Sequence, residues 1–400
     1  MQYDFTARVN RRGVGAFKWD EMLSENPSVP EGVVPLSVAD MELENPPEVR
    51  RALHDLIDAG PLGYTGATDR FTSACIDWQV RRHGWRPEAD WIVTTPGVVP
   101  AVFCAVSQLT EPGDAVIIQP PVYYPFKRAV ESAGRGLIEN PLKEVGGRYE
   151  MDFDDLAEKA ARPEAKMLIL CSPHNPVGRV WEISELRRLI EICVANGVTI
   201  VSDEIHNDLI MPGNAHTTIA SVMSPEEMKS LVVCTAPSKT FNLAGIQASV
   251  IYVPDAEFRA RFKAGFEKLS LGGLNAFAYT ATTAAYEQCE GWLSQLIDLV
   301  WTNFSRLVDW VAQSHPELDV AELQGTYLAW VDFRSWDLRD EELKAFMREE
   351  ALLWLDEGDL FGEEGSGFER FNLACPTDVL EAALARLDEA APRRGFGKNC

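Results

Sequence analysis

Residues 234–245 read CTAPSKTFNLAG. They complete the apolar run Leu231-Val-Val-Cys234, whose continuous hydrophobicity is that of a strand buried on both faces. A lysine, Lys239, then stands just beyond the strand end, in a short turn of small residues. Such a lysine is either a surface charge on a loop or an amine held in a pocket for chemistry. These residues alone favour the surface charge, and the rest of the chain has to overturn that reading.

Five further runs have the same character: Trp91–Thr95, Ala115–Gln119, Met167–Cys171, Val198–Val201 and Ala248–Val253. Amphipathic segments separate them, among them Ile183–Asn196, which the pair Asn196-Gly197 closes. Apolar strands alternating with helices predict an α/β fold with a largely parallel sheet covered on both faces. Beyond about residue 285 the pattern changes to long helices, a hairpin-like pair around Tyr327–Phe333 and a helix from Thr377 to about Glu389. We therefore expect an N-terminal arm (1–50) packed on the smaller domain, a large domain (51–285) and a smaller α+β domain (286–400). The last residues, from Arg393 to Cys400, are expected to fray.

The 400 residues carry a net charge of −24, which opposes binding to a nucleic-acid backbone or an anionic membrane. Hydrophobic content of 46% with 10% aromatics suits well-packed cores. The cysteines at 75, 104, 171, 193, 234, 289, 375 and 400 form no CxxC pair, and the histidines lack metal-ligand spacing. No run approaches the ~18 apolar residues of a membrane span, and Met1–Gly13 holds no apolar signal region. The expectation is a soluble, cytoplasmic protein with reduced thiols and no metal.

In a parallel sheet, ligands lie beyond the carboxyl ends of the strands. Thr95-Pro-Gly-Val-Val follows the first run, a glycine turn into an apolar helix whose leading N–H groups suit a phosphate. No GxGxxG follows a strand and no GxxxxGK[ST] occurs, so dinucleotides and P-loop nucleotides lose their main support. Pro120-Pro-Val-Tyr-Tyr follows the second run, where a tyrosine either packs in the core or offers a flat face to a ligand. Ser172-Pro-His-Asn-Pro presents the Asn175 amide, and Ser202-Asp-Glu-Ile-His places acids where a buried carboxylate needs a cationic partner. One mouth thus collects an amine, a carboxylate, an amide, an aromatic face and a phosphate cradle. That set matches pyridoxal 5′-phosphate, whose ring accepts electrons when a carboxylate keeps its nitrogen protonated.

The order and spacing of CSPHNPVG (171–178), SDEIH (202–206) and APSKTFNLAG (236–245) resemble those of fold-type I pyridoxal-phosphate enzymes. Asn10–Asp20, Val38-Ala-Asp-Met41 and Gly63-Tyr-Thr65 make the chain similar to the MalY/PatB group of cystathionine β-lyase-type C–S lyases, from about residue 4 to 385. The resemblance implies the aspartate aminotransferase-like fold, with a mostly parallel seven-stranded sheet and a smaller α+β domain. It assigns Lys239 as the Schiff-base lysine, Asp203 as partner of the pyridine nitrogen and Asn175 as donor to the phenolic oxygen. Tyr123 would stack on the ring, while Gly97, Val98 and Ser238 would hold the phosphate. Arg370 would clamp the substrate α-carboxylate, with Asn175 beside it, and Tyr64 would arrive from the neighbouring subunit of a homodimer to meet phosphate or substrate.

Ala236 and Gln247 depart from the broader aminotransferase pattern, which often has serine and arginine there, so the phosphate grip is expected to be less charged. His206 stands where aminotransferases often have tyrosine; a buried hydrogen-bonded histidine and a cofactor contact are both open readings. The activity the resemblance implies is cleavage of cystathionine or a related S-substituted L-cysteine to thiol, pyruvate and ammonia. The alternatives are a class I/II aminotransferase and a pyridoxal-phosphate-binding regulator. The regulator is disfavoured by the lack of a basic face or helix-turn-helix and by Lys239, Asp203 and Arg370 occurring together.

Overall fold

The computed structural model describes residues 2–397, and each of the six apolar runs forms a strand in it. These are β1 (Ile92–Thr95), β2 (Ala115–Ile118), β6 (Ala165–Cys171), β7 (Thr199–Asp203), β8 (Leu231–Thr235) and β9 (Ser249–Tyr252). A seventh, β3 (Gly136–Glu139), completes a sheet of order β1-β9-β8-β7-β6-β2-β3. Every pair from β8 through β3 is parallel, and β9 alone runs against both neighbours. A small hairpin, β4 (Lys143–Val145) with β5 (Arg148–Glu150), lies between β3 and β6.

Both faces of the sheet are dry, which is why these strands read as unbroken apolar runs. Successive side chains point to opposite faces. Val232 and Cys234 join a core with Val102, Val106 and Phe262 from the helices Val98–Leu109 and Ala256–Lys268. Val233 joins the opposite core, with Leu186, Leu189 and Ile190 of the helix Ile183–Ala195. β3 escaped the sequence reading because it is an edge strand with one buried residue, Ile138. Its glycine is dictated by close approach: a Cβ on Gly136 would lie 3.0 Å from that of Ala115.

A second, antiparallel sheet follows, of order β10-β11-β13-β12, from Asp319–Val320, Leu328–Asp332, Phe368–Asn372 and Asp356–Glu357. It contains the expected hairpin-like pair around 327–333, β10 with β11 antiparallel over two residues, and extends it. β11 pairs along its whole length with the distant β13, because Phe368-Glu-Arg-Phe-Asn372 is a fully buried strand whose polar residues hide it from a hydrophobic scan. The helices Glu290–Ser314 and Thr377–Ala390 accompany this sheet. The expected fraying from Arg393 is corrected: Phe396 stacks on Trp336 at 4.4 Å, while residues 398–400 lie outside the described residues.

The arm is sewn to both sheets. On one side Asn372 Nδ2 donates to the carbonyls of Val38 (2.7 Å) and Asp40 (2.9 Å), and Leu36 N to Trp354 O (2.9 Å). On the other, Asn242 Nδ2 donates to Met41 O and Leu43 O at 3.1 and 3.0 Å. Val38–Asp40 is thereby stretched across the carboxyl ends of the parallel strands.

Candidate active site

β1, β6, β7 and β8 point the same way, so the turns that follow them meet at one edge. They enclose a cavity of about 210 Å³. Nine of the ten residues expected to form a site line it: Gly97, Val98, Tyr123, Asn175, Asp203, His206, Ser238, Lys239 and Arg370. Tyr64 does not; it is fully exposed and away from the cavity of its own chain.

The turn after β1 is shaped by Thr95, whose hydroxyl bonds Gly97 O (3.0 Å) and Ser249 Oγ (2.6 Å). Gly97 adopts φ 139°, a conformation that favours glycine, and a Cβ there would meet Pro100 at 3.4 Å. The helix Val98–Leu109 then begins, with its first amides having no carbonyl ahead of them to bond. Ser238 and Gln247 flank this end. The expectation of a weakly charged anion cradle agrees with the lining: its cations are Lys239 and Arg370 only.

Alternation along the β7 exit separates its two acids. Asp203 faces the cavity, and its Oδ1 accepts from Ile205 N at 3.1 Å. Burial raises its carboxyl from 3.8 to about 7, against the lowering effects of that N–H and of Lys239. Glu204 turns away into bonds with Ser202 Oγ, His216 Nε2 and Ile219 N, each 3.0 Å. His206 lines the cavity with its ring edge-on to Tyr327 at 5.9 Å. Its Nδ1 finds no hydrogen-bond partner among the described residues, so it is not a satisfied core histidine. Burial, with Lys239 and Arg370 nearby, keeps it neutral.

Lys239 sits in the single helical turn Pro237–Thr240 after β8. Thr240 anchors that turn by donating to the buried Asp208 (2.9 Å), which also accepts from Trp78 Nε1 (3.1 Å). The Lys239 amine donates to Ala39 O at 2.6 Å, a carbonyl shared with Tyr327 OH at 2.9 Å. Burial, aided by Arg370, pulls this amine from 10.5 down to about 8, against the pull of Asp40, Asp203 and Asp356. A minor fraction is therefore neutral, hence nucleophilic, near physiological pH, far more than for an ordinary lysine.

Arg370 reaches the cavity from β13 and crosses both layers of the site. Its Nη1 donates to Asn175 Oδ1 (2.8 Å), and its guanidinium lies 4.7 Å from the Phe361 ring centroid. Because Asn175 spends its oxygen on Arg370, its NH₂ remains to donate, the role expected of it. The Arg370 Nε is buried without a hydrogen-bond partner among the described residues. Among the cavity residues that the sequence reading did not assign to the site, Ala39 and Asp356 make direct polar contacts to Lys239 and Arg370. Both come from outside the parallel sheet, and neither follows an apolar run. Only the geometric placement of the arm and of the two-residue strand β12 reveals them.

An aldehyde-capturing amine, a carboxylate able to pair with a ring nitrogen, an amide N–H donor and open helix amides fit pyridoxal phosphate. The unpaired Arg370 Nε fits a substrate carboxylate. Comparison with known proteins agrees with this arrangement. Residues 31–387 match the family model of aminotransferase class I and II. Cystathionine β-lyase PatB of Bacillus subtilis (strain 168) is 41% identical over 97% of this chain and 99% of its own. The chain belongs to the class I and II aminotransferase family, in its MalY/PatB group. Protein MalY of Escherichia coli (strain K12) is 29% identical, over 97% of this chain and 98% of its own. The crystal structure of cystalysin from Treponema denticola, which contains a pyridoxal 5′-phosphate cofactor, superposes with a TM-score of 0.97. It is 42% identical and covers 98% of this chain and all of its own. The fold is thus that of aspartate aminotransferase-like enzymes. Among the described residues, no helix is long and apolar enough to cross a membrane.

Proposed function

We propose that this chain is a pyridoxal 5′-phosphate-dependent C–S β-lyase, acting on cystathionine or a related S-substituted L-cysteine. The observation that carries the reading is the meeting of Lys239, Asp203 and the Arg370–Asn175 pair in one cavity, in a chain 41% identical to a cystathionine β-lyase. Bound there, the cofactor supplies an electron sink for the pair left at Cα. The protein's own groups do the rest. Arg370 meets the substrate α-carboxylate through its free N–H groups and fixes which Cα bond stands perpendicular to the ring. Lys239, whose pKa burial lowers to about 8, takes the Cα proton as the neutral amine. With the cofactor bound, Asp203 would pair with the ring nitrogen, Asn175 would donate to the phenolic oxygen and Tyr123 would cover one ring face. Gly97, Val98 and Ser238 would hold the phosphate, and His206 would lie against the cofactor as a neutral ring. The thiolate would leave Cβ and take up a proton, and water would hydrolyse the remaining three-carbon imine to pyruvate and ammonia.

Product balance tests the reaction. Incubated with L-cystathionine and no keto acid, the enzyme should release one thiol, one pyruvate and one ammonia per turnover, continuously. A single half-reaction that stalls and restarts on adding a keto acid would make it an aminotransferase instead.

We further propose a cytoplasmic homodimer in which Tyr64 completes the partner's site. Support comes from the exposure of Tyr64 together with Ile57 and Leu62 on the same segment, and from the free, mostly buried thiols. Sedimentation at assay concentrations should show a dimer carrying all the activity. A fully active monomer would remove Tyr64 from the site.

A further inference from the structure

Asp356 and Arg370 are directly opposite each other on β12 and β13. The Asp356 Oδ2 accepts from Arg370 Nη2 at 2.5 Å and from Val38 N at 2.8 Å. Both partners are nearly enclosed, with side chains 14% and 4% exposed. One carboxylate oxygen therefore ties the arginine to the arm that crosses the cavity. With Asn175 on Nη1 and Phe361 beneath the guanidinium plane, Arg370 is held on three sides, with its Nε unpaired.

We infer that Asp356 is a positioning residue for the substrate α-carboxylate: it holds the Arg370 fork against the Val38 strap so that the remaining N–H groups face the substrate. The inference rests on the reading of Arg370 as the carboxylate ligand. A long arginine left free would have to be ordered by each incoming substrate, at a cost in binding. Asp356 removes that cost in advance. It also supplies the anion that a buried guanidinium needs before substrate arrives. Its own negative charge opposes a second carboxylate nearby, so it acts by orientation and not by attraction.

The test compares two probes on the holoenzyme, L-alanine and ethylamine, which differ by the α-carboxylate. Binding is read from the change in the visible spectrum, which does not depend on the reaction catalysed. Asp356→Asn keeps the shape and one acceptor but loses the charge. L-Alanine should bind ~10-fold or more weakly, the worth of a charge-assisted contact, while ethylamine changes little. With a turned-over substrate, KM should rise far more than kcat falls. Arg370→Lys, measured alongside, should weaken L-alanine in the same selective way. If Arg370→Lys is selective and Asp356→Asn affects both probes equally or neither, Asp356 serves only the fold and the inference fails alone. If neither variant distinguishes the probes, the Arg370 assignment fails and takes the inference with it.

Discussion

Lys239→Ala is expected to leave a folded protein that never acquires a covalently held cofactor and turns over at least ~10⁴-fold more slowly, the upper range for loss of a positioned base. The expectation follows from the site and not from the lysine alone. Thr240 and Asp208 fix the helical turn on which the side chain stands, so the truncation removes an amine and not a structural element. The neighbouring Arg370 is committed to Asn175 and Asp356 and cannot act as a base at any ordinary pH. His206 is kept neutral by burial, but the proposed reading uses it as a contact to the cofactor and not as the base at Cα. Absorbance in the visible and the mass of the borohydride-reduced protein read the covalent link, and product assays read turnover. A yellow, active alanine variant would end the reading of this cavity as an active site.

Asp203→Asn should cost about three powers of ten or more in turnover, because the ring nitrogen would lose the charge that keeps it protonated. The same residue makes a pH-dependent prediction about stability. Its carboxyl is raised to about 7 in the folded protein, above its ordinary 3.8. A raised acid favours the folded state fully below the lower value, and that contribution is lost as pH climbs through the higher one. At pH 8 the protein without cofactor therefore carries a buried carboxylate that Ile205 N–H and Lys239 only partly compensate, which a cationic ring nitrogen would neutralise. The rise in melting temperature on adding pyridoxal phosphate should be larger at pH 8 than at pH 5.5. In Asp203→Asn that difference should disappear. An equal rise at both pH values in the unaltered protein would contradict the pairing.

Much of this was legible in the chain because parallel sheets put strong signals in fixed places. Asp203, Asn175 and Lys239 each end or follow a run of buried aliphatic residues, so finding the strand finds the residue. Arg370 was legible only through family likeness, since β13 carries glutamate, arginine and asparagine within five buried residues. Such a strand is stabilised by specific partners and not by apolar content, and hydropathy is blind to it. Asp356 and Ala39 were invisible for a related reason. They reach the cavity through contacts spanning 14 and 200 residues, to Arg370 and Lys239 respectively. Glu204 shows the resolution of the method: strand-end logic points to Asp203-Glu204 as a pair, and only the alternation of side chains at the end of β7 sends one into the cavity and the other behind it.

The proposed anion cradle at the start of the helix Val98–Leu109 would consist of amides, a serine and a glutamine, in a chain of net charge −24. Neutral donors hold a phosphate at contact but do not draw it in from a distance. The long-range field of the protein is repulsive to a doubly charged ester, and dissolved ions shorten its reach to about 10 Å at 0.1 M. Ionic strength should then act in opposite senses on the two halves of cofactor exchange: it speeds arrival, by muting the repulsion, and leaves departure almost untouched, because bonds to uncharged N–H and O–H groups are little screened. An enzyme made this way loads its cofactor faster in saline than in dilute buffer.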